Sequence, residues 1–190
     1  MTHYPDNYLT TSVLLVSIWL VSFRLPGVEK RKLMADRSRS TVTYAMSHPM
    51  HKWEGVSRDV ACAMAVGDDQ RIESVAVAAK VSSFDSQNAN RDSHALETLE
   101  ALKYPKVTFV SSDVQQQDNA LTIKGNLTFH GVTKPVTIQA VRKEGNGQTS
   151  INGDFVIQLS DYKVERPSLM MVPVEEAVKL QFNMIFRTTV

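Results

Sequence analysis

The alternation of apolar and polar residues from Ser40 onward has a period of two, which is typical of half-buried β-strands. In one such run, Val60, Cys62, Met64 and Val66 alternate with small alanines. The pattern predicts about eight strands, separated by short polar turns. The predicted strands cover residues 41–47, 60–66, 75–81, 107–111, 121–130, 136–140, 151–157 and 178–186.

One stretch breaks this pattern and predicts a helix after the third strand. Residues 92–103 are rich in helix-forming residues, and their apolar side chains recur at helical spacing. The apolar positions are Ala95, Leu96, Leu99 and Leu102. Asp92 is a suitable N-cap, and Pro105 prevents the helix from continuing. The predicted order is therefore three strands, one helix and five strands.

Short turns between the predicted strands favour antiparallel hairpins. A sheet of this size hides its apolar face either in a sandwich or in a closed barrel. The rows predicted to face inward mix small residues with phenylalanines, which leaves space for a small apolar ligand. The small residues are Gly125, Gly153, Ala79 and Ala140, and the flexible Met170, Met171 and Met184 suit an irregular lipid chain. The alternative is a barrel filled by its own side chains.

The first 35 residues differ from the rest of the chain. No charged residue occurs between Asp6 and Arg24, and residues 9–23 form an apolar run that suits the core of a signal peptide. This run is short for a membrane-spanning helix, which needs about 20 residues. We expect residues 1–35 to be an export signal with a basic linker. An uncleaved anchor and a translation start at Met34 are the alternatives.

Composition excludes several classes of protein. The chain has 190 residues, 43% hydrophobic and 22% charged, which excludes a wholly disordered protein. A formal net charge of +1 argues against nucleic-acid binding. The one cysteine, Cys62, excludes an intrachain disulfide framework and is expected to be an inert buried thiol.

Three segments of the body resemble the YceI-like family of exported bacterial β-barrel proteins. The most specific is residues 83–109, in which Arg91, Asp92 and His94 precede a helix and the strand motif Tyr-Pro-Lys-Val-Thr-Phe follows. The second is the hairpin sequence GNLTFHGVTKPV at residues 125–136. The third, weaker match is the pair Asp161-Tyr162 before the last strand.

The resemblance implies an all-β domain over residues 36–190, a lipocalin-like extended antiparallel eight-stranded barrel with one inserted α-helix. It also implies that the barrel binds a long-chain amphiphilic lipid of isoprenoid type and carries or stores it outside the cytoplasm. The protein would then be periplasmic or secreted, or membrane-anchored if the first segment is retained. The expected partners are an apolar lipid and a transient membrane contact, with no nucleic acid, and the protein would be a monomer or homodimer.

The candidate ligand-binding residues are aromatic or apolar side chains on the predicted inward rows. They are Tyr44, Trp53, Phe109, Leu127, Phe129, Phe155, Phe182 and Met184. Arg91, Asp92 and His94 either hold a lipid head group at the rim or form a structural clasp between loop and helix, with Asp92 as the cap.

Neither a metal nor a cofactor other than the lipid is expected. His48 and His51 are three residues apart, so on one strand they would point to opposite faces. The sequence contains no nucleophile elbow, zinc-protease motif or phosphate-binding loop, so we do not expect an enzyme. Two alternatives stay open: a filled-barrel interaction or stress-response module, and a lipid-modifying enzyme.

Overall fold

A single antiparallel sheet makes up most of the protein. The computed structural model describes residues 30–169 and 171–187. Eleven strands belong to the main sheet: β1 (Arg31–Met34), β2 (Thr41–His48), β3 (His51–Ser57), β4 (Val60–Val66), β5 (Ile72–Lys80), β6 (Phe84–Asp85), β7 (Lys106–Gln117), β8 (Ala120–Phe129), β9 (Val132–Gly145), β10 (Gln148–Gln158) and β13 (Ala177–Arg187). A separate hairpin contains β11 (Ser168–Leu169) and β12 (Val172–Pro173).

The sheet curls until its two sides meet. Its order is β1-β4-β5-β7-β8-β9-β10-β13-β2-β3-β6. An isolated bridge between Ala35 and Phe186 joins the segment after β1 to β13, so β1, β4, β5, β7, β8, β9, β10 and β13 form a ring of eight strands at one end. The N–H of Asp36 donates to the carbonyl of Ile185 at 2.7 Å and reinforces this closure. The predicted all-β barrel with one inserted helix is therefore confirmed, although the main sheet has eleven strands and not the eight predicted.

The two ends of the barrel differ. At the closed end, the turns at 67–71, 118–119 and 146–147 lie over a packed core that includes Phe186, Met64, Ile72 and Leu121. The buried guanidinium of Arg142 seals this end, because its Nη1 donates to the carbonyl of Gln70 at 2.7 Å. At the other end, called the mouth, lie the β2–β3 turn, the segment from 81 to 105 and the segment from 159 to 176.

The helix at the mouth, α1, spans Ala89–Thr98 and begins earlier than the sequence indicated. Its N-cap is Asn88, whose side-chain oxygen accepts a hydrogen bond from the N–H of Arg91 at 3.0 Å. The prediction of Asp92 as the N-cap was therefore wrong. Asn and Asp cap helices equally well, so their order along the chain did not decide between them.

Two other boundaries also need correction. The strand β3 was not among the eight predicted, because its sequence HKWEGVS contains charged residues and a glycine that obscure the alternation. Residues 31–34, expected in the linker before position 36, pair with β4 as strand β1. The predicted signal segment itself lies outside the described residues.

Candidate ligand-binding cavity

The interior of the barrel holds an apolar cavity of about 560 Å³. This volume lies within the range of about 300–1,000 Å³ that is usual for small-molecule sites. Strands from around the barrel supply its wall, and α1 covers one side with Ala95, Leu96 and Leu99. No side chain of α1 is fully buried, because the apolar stripe of the helix faces this space rather than a packed core.

Three glycines allow neighbouring aromatic rings to pack against the backbone of the sheet. Gly55 is paired with Tyr44, and a Cβ added there would collide with the tyrosine ring. A Cβ on Gly125 would come within 2.5 Å of Cζ of Phe109, and one on Gly153 within 2.7 Å of Cζ of Phe182.

The glycines therefore keep the lumen open only indirectly, by making room for neighbouring aromatic rings against the wall. The prediction that Gly125 and Gly153 themselves leave room was wrong in detail, because neighbouring rings occupy the space above them. Those rings lie along the wall instead of projecting into the lumen, which is what leaves the centre hollow.

All the predicted ligand-binding residues lie in the cavity wall. They are Tyr44, Trp53, Phe109, Leu127, Phe129, Phe155, Phe182 and Met184. Their contact with a ligand stays a prediction. Met171, also expected to face inward, is instead 96% exposed in the turn between β11 and β12, and Met170 lies outside the described residues.

Polar side chains are concentrated at the mouth. The guanidinium carbon of Arg91 lies 5.3 Å from the centre of the Trp53 ring, within the range of cation–π attraction. Among the residues that the structure describes, no carboxylate forms an ion pair with Arg91. Its Nη1 makes only a long hydrogen bond of 3.4 Å, to the carbonyl of Ser86.

Asp92 has a structural role in this arrangement. Both of its carboxylate oxygens accept from the N–H of Ser86 at 3.2 Å, which ties the first turns of α1 to the preceding loop. Burial raises the pKa of Tyr44, and the nearby negative charge of Asp92 raises it further, so this phenol stays protonated at the mouth. His94, the third residue of the motif, is largely exposed and lies 3.4 Å from Glu97.

Two histidines were placed on opposite faces by the sequence argument, and this was wrong. A turn separates β2 from β3, so His48 and His51 are direct cross-strand partners with ring centres 5.6 Å apart. Both line the cavity mouth. Within residues 30–169 and 171–187, no group of three or more His, Cys, Asp or Glu residues is placed to hold a metal ion.

The buried His48 connects two hairpins. The N–H of Met50 donates to its Nδ1 at 3.3 Å, and its Nε2 lies 3.2 Å from the carbonyl oxygen of Val172. With Nδ1 accepting from Met50, Nε2 is the ring nitrogen that donates to the carbonyl oxygen of Val172. Sequence reasoning missed this role, since only the pairing of distant segments reveals it.

Cys62 lies on the inward row of β4 and also contributes to the wall. Burial raises the pKa of its thiol to about 12. The thiolate is the reactive form of cysteine, so such a thiol has little nucleophilic character near neutral pH. The cavity thus offers apolar contact throughout its depth and polar groups at its mouth, which is the arrangement of a binding site for an amphiphile.

A β-barrel with one sealed end and an apolar lumen places the protein in the class of antiparallel β-barrels with an internal cavity. Within that class, the chain belongs to the YceI-like domain family, whose model matches residues 34–186. The relatives include Protein YceI of Salmonella newport, 32% identical over 113 residues, which are 57% of this chain and 59% of the relative. Protein YceI of Salmonella arizonae is 43% identical over 70 residues, 36% of this chain and 37% of the relative. The matched stretches therefore span less than two thirds of these relatives.

Solved structures show the same fold at low sequence identity. BcnA of Burkholderia cenocepacia aligns with a TM-score of 0.72 and 21% identity, covering 80% of this chain and 98% of BcnA. A polyisoprenoid-binding domain from Saccharophagus degradans aligns with a TM-score of 0.65 and 10% identity, covering 85% and 100%. The YceI protein of Campylobacter jejuni has a TM-score of 0.61, 15% identity and coverage of 96% and 100%.

Membrane-spanning helices were also sought. None of the helices in the described part of the chain has the length and hydrophobicity needed to cross a bilayer.

Proposed function

We propose that the protein binds a long-chain amphiphilic lipid of isoprenoid type in the barrel and carries or stores it outside the cytoplasm. The observation that supports this most directly is the apolar cavity of about 560 Å³, whose polar lining residues are concentrated near its mouth. Each methylene of such a chain gains about 0.8 kcal/mol on leaving water, so a hollow apolar lumen binds it without specific polar contacts. A fold neighbour described as a polyisoprenoid-binding domain is consistent with this ligand class.

A filled-barrel interaction module is a weaker explanation of the same fold. Protein interiors are normally close-packed. An apolar cavity of this size therefore argues for a bound ligand and against a barrel filled by its own side chains. A lipid-modifying enzyme is also less well supported, because the cavity lining offers no activated nucleophile and Cys62 is held as a thiol. We therefore propose a binding protein without catalytic activity and without a metal, in a periplasmic or secreted location.

In this proposal Arg91 orients the head group of the lipid. Its guanidinium lies at the mouth over Trp53, and it keeps most of its donors free of strong partners among the described residues. An Arg91→Ala substitution is expected to weaken binding of a polyprenyl phosphate more than that of the matching polyprenol. Glu97→Ala is the matched control, because Glu97 belongs to the same helix, is 75% exposed and is not among the residues that line the cavity.

The test of the proposed function is extraction of native protein. Protein purified from its host without detergent is extracted with organic solvent, and the extract is analysed by mass spectrometry. We expect one dominant apolar lipid at close to one molecule per protein. Only trace lipid, with a barrel that also fails to take up added polyprenol, would overturn the proposal.

A further inference from the structure

Two turns at the mouth expose apolar side chains side by side. Met50, in the β2–β3 turn, is 68% exposed, and Met171, in the β11–β12 turn, is 96% exposed. Val172 follows Met171 and is 41% exposed. We call these three residues the methionine tip.

The two turns are held together as one surface. The imidazole of His48 bridges the N–H of Met50 and the carbonyl oxygen of Val172, at 3.3 Å and 3.2 Å. The N–H of Glu175 also donates to the carbonyl of Ser47 at 2.8 Å. The tip is therefore fixed in place, although its methionine side chains stay flexible and adapt to irregular apolar surroundings.

The tip is continuous with the cavity. His48 and His51 on one hairpin line the lumen, and so do Pro167 and Ser168 beside the other. A lipid that entered along the cavity side of these joined hairpins would pass directly from the surface of the tip into the lumen. Both described ends of the chain lie at the closed end, since Arg31 pairs with Val66 and Arg187 with Gln148, so neither obstructs the mouth.

We propose that the methionine tip docks on a lipid bilayer and inserts its side chains among the acyl chains, so that lipid enters the cavity without crossing water. This inference rests on the proposed function. Charges next to the tip are balanced, with Lys52 near Glu175 and Arg166 paired to Glu176 at 3.1 Å. Such a surface does not suit a strongly charged partner, and an exposed apolar patch beside a lipid cavity fits the interior of a membrane.

The test compares transfer of a fluorescent polyprenol between phosphatidylcholine vesicles by wild type, M50S/M171S and the control M34S. Met34 is 59% exposed but lies on β1 at the closed end. We expect M50S/M171S to slow transfer at least about tenfold, because burial of one methionine side chain shifts an equilibrium by about that factor or more. M34S is expected to transfer at the wild-type rate.

A second readout locates the tip at the membrane. The chain contains two tryptophans, and in a Trp19→Phe background only Trp53 at the mouth remains. Vesicles of brominated phosphatidylcholine should quench Trp53, and M50S/M171S should reduce that quenching. Quenching of Trp53 reports the position of the mouth. Attachment of the chain to the membrane through residues 9–23 would therefore not produce the same signal.

Failure of this inference is distinguishable from failure of the proposed function. Each protein is also loaded with the same polyprenol from detergent, which bypasses docking. A wild type that takes up no probe overturns both proposals. Normal loading with an undiminished transfer rate in M50S/M171S overturns the docking surface alone, as does a dimer that this variant abolishes without slowing transfer.

Discussion

Enlarging one alanine in the cavity wall, with a second alanine as its control, tests whether the lumen is a binding space. Ala79 and Ala140 are both 6% exposed and face inward from β5 and β9. Ala79 lines the cavity. Ala140 instead packs against the backbone around Gly153, and a Cβ added to Gly153 would lie 3.0 Å from the Cβ of Ala140. Leucine at either position adds the same three carbons to different surroundings.

The expected magnitudes follow from those surroundings. In Ala79→Leu the added carbons occupy space that three methylenes of the guest would fill. At about 0.8 kcal/mol per methylene, the loss is about 2.4 kcal/mol, or roughly fifty-fold in affinity. In Ala140→Leu the added carbons have no space, so the free energy of unfolding should fall by about 1–3 kcal/mol.

Two measurements separate the variants. Titration with a fluorescent polyprenol gives the affinity, and urea denaturation of lipid-free protein gives the free energy of unfolding. We expect Ala79→Leu to lose affinity with unchanged or higher stability, and Ala140→Leu to lose stability with affinity nearly unchanged. The reasoning is refuted if Ala79→Leu destabilises the protein as much as Ala140→Leu does, because the space around Ala79 would then be filled.

Three further predictions concern the wall, the helix and the thiol. Gly55→Ala should push the ring of Tyr44 into the lumen and weaken lipid binding, measured by the same titration. His130→Ala should lower the free energy of unfolding by about 1–3 kcal/mol, because its ring nitrogens lie 3.0 Å from the carbonyl oxygen of Tyr162 and 3.1 Å from a carboxylate oxygen of Glu100. The folded-state pKa of Cys62 is raised to about 12, so its contribution to stability should be lost as pH rises above about 9, at up to about 1.4 kcal/mol per pH unit. Urea denaturation between pH 8 and about 11 measures this loss, and Cys62→Ala should flatten it.

Controls for these three predictions come from the same chain. Gly145→Ala is the control for Gly55→Ala, since a Cβ at Gly145 meets nothing within 4 Å, and equal losses in both would contradict the ring-seating argument. Glu97→Ala, on the exposed side of α1, controls for His130→Ala, and a wild-type stability for His130→Ala would show that its hydrogen bonds contribute nothing. If the free energy of unfolding of Cys62→Ala fell equally steeply with pH, the loss would come from groups other than Cys62.

The alternation of side chains was sufficient to predict the inward rows. Because successive residues of a strand point to opposite faces, a correct period placed Phe109, Leu127 and Phe155 in the wall without knowledge of strand order. The motif of Arg91, Asp92 and His94 lies at the mouth, where its contact with a head group stays a prediction, and the contacts of Arg91 were not foreseen. Those contacts depend on Trp53, which lies on a strand that the pattern did not reveal.

Features that depend on register could not be predicted in this way. The seating of Tyr44 over Gly55 requires that these two residues face each other across β2 and β3, which local sequence does not specify. The same holds for Met171, which is exposed because it lies in the tight turn between β11 and β12.

Both described ends of the chain lie at the sealed end of the barrel, which decides how a copy anchored through its first residues would be oriented. β1 starts at the sealed end, and β9, with 14 residues, is about 45 Å long, which at the usual strand tilt of about 40° gives the barrel a length of about 35 Å. A copy retained on a membrane through its first residues would have its sealed end next to that membrane. Its mouth would point away, separated from the membrane by the length of the barrel. Such a copy would exchange guests with an opposing membrane, whereas a released copy could turn and serve either one.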